Sequence, residues 1–253
     1  MNFFWIWNAK MIKKYMIIVL AAFFTAGILY VERTQIPVFS TDERPVAIYK
    51  VDTEDKDLAL TFNISWGEER AIPILDTLKE NDISNAAFFI SASWAERHPE
   101  VVERILEDGH EIGSHGFRHD HYTKWEDENI KKDILTAHEI IRKVSDTTPH
   151  FLRPPNGNFD DRVLKIAENL DYDVIHWSIN SNDWLNPGVD KIVDNVVSEA
   201  SPGDIVLFHA SDSAKQTAEA LPEIISQLSS DGFNFVSLSE LMSGSETESQ
   251  EIN

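Results

Sequence analysis

The chain has 253 residues, room for one domain of ordinary barrel or doubly wound size plus a tail or an anchor. Its formal net charge of −21 disfavours nucleic acid and anionic lipid faces as partners. No cysteine is present, which excludes disulfides, thiolate chemistry and Cys-ligated metals and agrees with export.

In chain order, the first segment differs from the rest. Lys10, Lys13 and Lys14 precede an uncharged apolar run, Tyr15–Val31, which ends at Glu32 and Arg33. Its length is at the short limit for a membrane-spanning helix. The lysines place residues 1–14 in the cytoplasm and everything after Val31 outside. A cleaved signal peptide is the competing reading, with Thr25-Ala26-Gly27 as a loose cleavage site. The expected plan is a single-pass anchor at 15–31, a linker over 32–55, a folded domain over 56–241 and a polar, disordered tail over 242–253.

Short apolar runs then alternate with helix-length periodic segments. Strands are predicted at Leu58–Asn63, Ala86–Ile90, Glu111–His115, Phe151–Arg153, Val174–Ile179, Ile205–His209 and Phe233–Leu238, with a short extra one at Val46–Tyr49. Helices are predicted at Glu69–Glu80, Pro99–Glu107, Glu126–Val144, Asp160–Asn169, Asp190–Ala200 and Ala214–Ser229. Gly109 and Gly232 stand where helix C-caps belong. About seven β-α units imply an α/β fold, a distorted barrel of parallel strands, closed or nearly closed.

In such a fold the loops after the strands form the reactive face. Polar residues collect there: Asn63 at the end of the first strand, His115 at the end of the third with His119 four residues on, Arg153 before a Pro-Pro turn, Asn180 and Asp183-Trp184 after the fifth, and His209 at the end of the sixth. Each alone is a weak signal. Two histidines four apart are often only exposed neighbours, and a strand-end histidine is often a core residue. Their shared position at successive strand ends gives them weight.

Taken in order, these segments resemble the polysaccharide deacetylase family, the NodB-homology domains of carbohydrate esterase family 4. The family's motifs TFDDG, H-[ST]-x-x-H, R-x-P-x-G, D-x-x-D-W and L-x-H stand here as Thr61-Phe62-Asn63-Ile64-Ser65, His115-Gly116-Phe117-Arg118-His119, Arg153-Pro154-Pro155-Asn156-Gly157, Asn180-Ser181-Asn182-Asp183-Trp184 and Leu207-Phe208-His209. The resemblance implies a hydrolase that removes N-acetyl groups from amino sugars of a cell-wall glycan with the help of a divalent metal, commonly zinc. It implies His115 and His119 as metal ligands, His209 as the acid that protonates the leaving amine, Asp183 as its charge partner, and Arg153 as the residue orienting the base. Trp184, Leu207 and Pro155 match positions that line the substrate groove.

The first motif departs from the pattern. Asn63 stands where the family has its base, and Ile64 where it has the metal-binding acid. An amide neither takes a proton nor carries charge at working pH. Glu68, Glu69 and Asp120 are the nearby acids able to replace the missing oxygen. A pseudoenzyme that binds glycan or a partner without hydrolysis is therefore the alternative to an active deacetylase. The ISWG, SASWAE and HASDSAKQT stretches, with the apolar N-terminal segment, resemble the PdaB-type subgroup linked to spore formation, which implies peptidoglycan of the spore cortex. A lipase-like esterase is disfavoured because no G-x-S-x-G elbow is present.

Overall fold

A computed structural model describes residues 45–243 together with Met16. The predicted cytoplasmic segment and, Met16 apart, the predicted anchor lie outside the described residues, as do most of the linker and residues 244–253 of the tail. Among the described residues no helix is long and apolar enough to cross a membrane. The chain divides into two compact units, Met1–Arg44 and Pro45–Asn253, and the elements below belong to the second.

The strands are β1 (Ala47–Ile48), β2 (Asp57–Ile64), β3 (Ala87–Ile90), β4 (Glu111–Ser114), β5 (Phe151–Leu152), β6 (Asp173–Ile175), β7 (Ile179–Asn180), β8 (Ile205–His209) and β9 (Asn234–Phe235). The helices are α1 (Ala71–Glu80), α2 (Ala92–Ala95), α3 (Pro99–Glu107), α4 (Asp127–Ser145), α5 (Asp161–Glu168), α6 (Val189–Val197), α7 (Thr217–Ser230) and α8 (Leu238–Ser243). The sheet order is β1-β6-β5-β4-β3-β2-β8-β7, with β9 paired to the start of β2. Every ladder between named strands is parallel. β2 reads DLALTFNI and is buried from Leu58 onward, as a parallel strand covered on both faces must be.

The expected α/β parallel architecture holds, but the barrel is not closed. The sheet has two ends, β1 and β7. The predicted strand Val174–Ile179 is in fact two strands, β6 at one end of the sheet and β7 at the other. His176 N–H donates to Ile48 O of β1 at 2.7 Å, while Ser178 N–H donates to Ile205 O of β8 at 3.0 Å. The chain changes partners between His176 and Ser178, the two polar residues that interrupt the apolar-aromatic run. The end of the predicted strand Phe233–Leu238 instead starts α8, whose Leu238 and Leu241, one helical turn apart, are buried in the core.

The two predicted caps are present. Gly109, at φ +89°, gives its N–H to Leu106 O, and His110 N–H bonds Ile105 O, both at 3.0 Å, the paired bonds of a Schellman cap on α3. Gly232 and Phe233 repeat the arrangement on α7. Across the sheet, Phe62 stacks between Phe88 and Phe208 with ring centroids 4.9 and 5.4 Å apart. Truncating any of these buried rings to alanine costs roughly 3–5 kcal/mol.

At the C-terminal edge, three strands pass their first loop residue to a neighbour's carbonyl. His115 N–H bonds Ile90 O, Arg153 N–H bonds Ser114 O, and Ala210 N–H bonds Asn63 O, each at 2.9 Å. That continuation of the ladder fixes where the loop side chains begin.

Candidate active site

The register places Asn63 directly beside His209 on adjacent strands. A cavity of about 430 Å3 opens at this edge, and Asn63, His115, His119, Trp184, Leu207 and His209 all line it. Arg153 and Asp183 stand behind its wall, both fully buried. Pro155 is also buried, and at that turn Asn156 forms the cavity wall.

On one side lies a bonded acid. The turn carrying Asp183 is built by asparagines: Asn182 and Asn186 take left-handed conformations at φ 56° and 51°, and Asn180 Oδ1 accepts the Asn182 N–H at 2.9 Å. Asp183 Oδ1 accepts from His209 Nδ1 and from Trp184 N–H, both at 2.8 Å. Its Oδ2 accepts from His209 N–H and from the Thr217 hydroxyl, both at 2.7 Å. A carboxylate only accepts, so Nδ1 of His209 carries its hydrogen and Nε2 is the ring nitrogen left to exchange protons.

The opposite side holds a cation without an anion. Arg153 donates to Asn63 Oδ1 at 3.0 Å, to His176 O at 2.8 Å and to Ile175 O at 3.3 Å, and its guanidinium lies 4.0 Å from the centroid of the Phe89 ring. None of these partners is charged, and burial pulls its pKa down to about 9. It remains protonated at neutral pH. Ile64 is fully buried in the apolar cluster with Phe62 and Phe88 and does not face the cavity.

Between the two sides stand the imidazoles. His115 Nδ1 donates to Arg153 O at 2.6 Å, which leaves the lone pair on Nε2, and this buried atom has no hydrogen-bond partner. Burial, and then His119, hold its pKa well below the usual value. The His119 ring centroid is 5.4 Å away at the exposed rim. Its pKa is lowered by partial desolvation, then by His209 and His121.

Two neutral imidazoles offer two donors, whereas a metal centre with an open position takes three protein ligands. Glu68, Glu69 and Asp120 do not line the cavity. Among the described residues no group of three or more His, Cys, Asp or Glu side chains could hold a metal ion. The described residues do not fit a resident divalent metal, because the ligand position at residue 64 is apolar and turned into the core.

The polysaccharide deacetylase family pattern matches residues 50–175. A peptidoglycan-N-acetylglucosamine deacetylase of Bacillus cereus is 35% identical over 197 residues, which span 77% of this chain and 92% of that protein. The chain belongs to the polysaccharide deacetylase family. Another relative, the peptidoglycan-N-acetylmuramic acid deacetylase PdaA of Bacillus subtilis, is 30% identical over 79% of this chain and 76% of its own. The solved structure of a Bacillus anthracis protein, described as a family pseudoenzyme, matches with a TM-score of 0.73 at 29% identity, over 78% of this chain and 69% of that one. A mutant of it is described as having restored enzymatic activity.

Three residues that support this polysaccharide deacetylase site were not singled out from sequence. Thr217, the first residue of α7, completes the shell of Asp183. Asp133 accepts from Phe117 N–H at 2.8 Å and from the Tyr122 hydroxyl at 2.7 Å, and so anchors the loop between His115 and His119. Burial is the main cause of its raised pKa. Its signal was present: an acid at i+3 from Ile130 on the buried stripe of α4. Asp212 accepts from the backbone N–H groups of Glu68, Glu69 and Arg70 at 3.0, 2.9 and 3.2 Å, which ties the loop after β2 to the loop after β8.

Proposed function

We propose that this protein binds N-acetylated amino-sugar chains of peptidoglycan across the cavity at His209, and that it releases acetate far more slowly than a family member carrying both first-motif acids. One observation carries the reading: the buried Arg153 guanidinium meets the neutral amide of Asn63. Hydrolysis of an acetamide bonds a water oxygen to the carbonyl carbon while the water's proton leaves to a base. The amine nitrogen takes a proton as its C–N bond breaks. His209, oriented by Asp183, supports the second transfer through Nε2. Asn63 cannot perform the first. Loss of a general base removes roughly 10²–10⁴ in rate. The peptidoglycan class is supported by the names of the relatives.

Full-length protein given N-acetylglucosamine oligomers and peptidoglycan is expected to bind both while releasing amine about 100-fold or more slowly than the Bacillus cereus relative. Release at the relative's rate, without added variants, would sink the reading. The complete Asp183–His209–Thr217 bonding favours this residual release over binding alone.

The uncharged run 15–31 behind its three lysines supports a single-pass anchor with the domain outside the cytoplasm. The resemblance to the PdaB-type subgroup supports spore cortex as the glycan source. Reporter fusions after residue 253 and before residue 15 test the first point. An export-dependent reporter is expected to work only at the C-terminal position.

A further inference from the structure

Trp66 is 52% exposed and lines the cavity, yet the deacetylase chemistry gives it no role. A single exposed tryptophan needs no explanation by itself. Its position and its mounting do. In the sheet β8 lies between β2 and β7. Trp66 follows β2, Trp184 follows β7, and His209 ends β8. With about 4.8 Å between adjacent strands, the two indole-bearing loops straddle His209 at roughly 10 Å from each other at their roots. A chain of sugars with one acetamide at His209 therefore meets an aromatic side chain in either direction.

The mounting is rigid. Just before Trp66, Ser65 N–H donates to Ser211 Oγ at 3.0 Å and Ser65 O accepts from Ser91 Oγ at 3.2 Å. Just after it, Gly67 O accepts the buried Trp94 Nε1–H at 2.8 Å, and Asp212 holds the next three amides. An exposed indole on a backbone bonded on both sides loses little freedom when a ligand covers it. The carbon–hydrogen face of a pyranose is the apolar surface that matches an indole face, while the sugar hydroxyls stay at the edge in water.

We propose that Trp66 forms a separate subsite, a stacking platform for the sugar next to the one whose acetamide faces His209, so that the protein selects chains over single N-acetyl sugars. This rests on the glycan-binding reading above and adds the length of ligand the cavity requires.

Titration calorimetry of the full-length protein with N-acetylglucosamine and with its linear tetramer tests it. The tetramer is expected to bind at least about tenfold more tightly than the monosaccharide. Trp66→Ala is expected to erase that gap by weakening the tetramer alone, and Trp66→Phe to keep part of it, with the melting temperature unchanged in both. If wild-type protein binds both sugars and Trp66→Ala leaves the ratio intact, or weakens both equally, the subsite is wrong while the functional reading stands. If wild-type protein binds neither sugar, the functional reading fails and takes the subsite with it. Should Trp66→Ala fail to fold, Trp66→Phe decides: an unchanged tetramer affinity together with unchanged indole-fluorescence quenching by the tetramer overturns the proposal.

Discussion

On the His209 side of the cavity, Asp183 accepts four hydrogen bonds on two oxygens and leaves no acceptor position idle. On the Asn63 side, a fully buried guanidinium has only neutral partners, and the inward nitrogen of His115 has none. The two sides share one sheet edge and one cavity, so the contrast is not a difference in fold. It arises at residues 63 and 64, where an amide and an aliphatic side chain stand in place of acids. A bonded network persists where its members satisfy one another, whereas removing a single charge from a pair leaves its partner exposed to the full cost of burial.

Breaking the satisfied side should have the largest effect. Asp183→Ala strands the Thr217 hydroxyl and two backbone N–H groups, a loss of roughly 3–5 kcal/mol. For a domain of this size that lowers the melting temperature by roughly 10 °C, read by calorimetry. A fall of only a degree or two would mean that the network is not what holds the turn.

Acid should act next, through buried imidazoles. Desolvation holds His110 and His176 near pKa 4 in the folded protein, and it lowers His115 well below its usual value. The unfolded chain binds these protons near pH 6.5 and the folded protein does not, so stability falls as pH drops from 6.5 towards 4. Asp133, raised by burial, works in the opposite direction over part of that window. Thermal melts from pH 7 to 4 should therefore show a decline, shallower in His176→Gln.

Restoring charge on the unsatisfied side comes third. Asn63→Asp gives Arg153 an anion and the cavity a base, and should raise amine release by at least about tenfold, a fraction of a full general-base effect because residue 64 stays apolar. If it changes nothing while His209→Ala abolishes a measurable activity, residue 63 is not the base position.

The smallest effect separates the two imidazoles. His119→Ala, at the rim, should move stability by less than about 0.5 kcal/mol. His115→Ala removes a buried hydrogen bond to Arg153 O and should cost about 1–3 kcal/mol. Equal effects would contradict the burial difference between them.

Much of this site was legible in the sequence because its residues carry chemical identity at strand ends. Asn63, His115, His209 and Arg153 sit where alternation and turn residues place them, and six of the predicted site residues line one cavity. What was hidden depends on distant pairing. Thr217 bonds an aspartate 34 positions away, and Asp212 bonds amides 142 to 144 positions away. The partner change at His176–Ser178 likewise follows from which edges lie nearby, not from local propensity. Asp133 is the intermediate case, betrayed by an acid on an apolar stripe.

The clasp made by Asp212 has a consequence for how such a site changes over time. The loop bearing Trp66, which follows the strand that carries Asn63, keeps its shape through backbone amides and a distant carboxylate, without help from either missing acid or from a metal. Reactivity and architecture are thereby uncoupled at this corner of the molecule. Substitution at position 63 can remove or reinstate chemistry while the frame around it stays put.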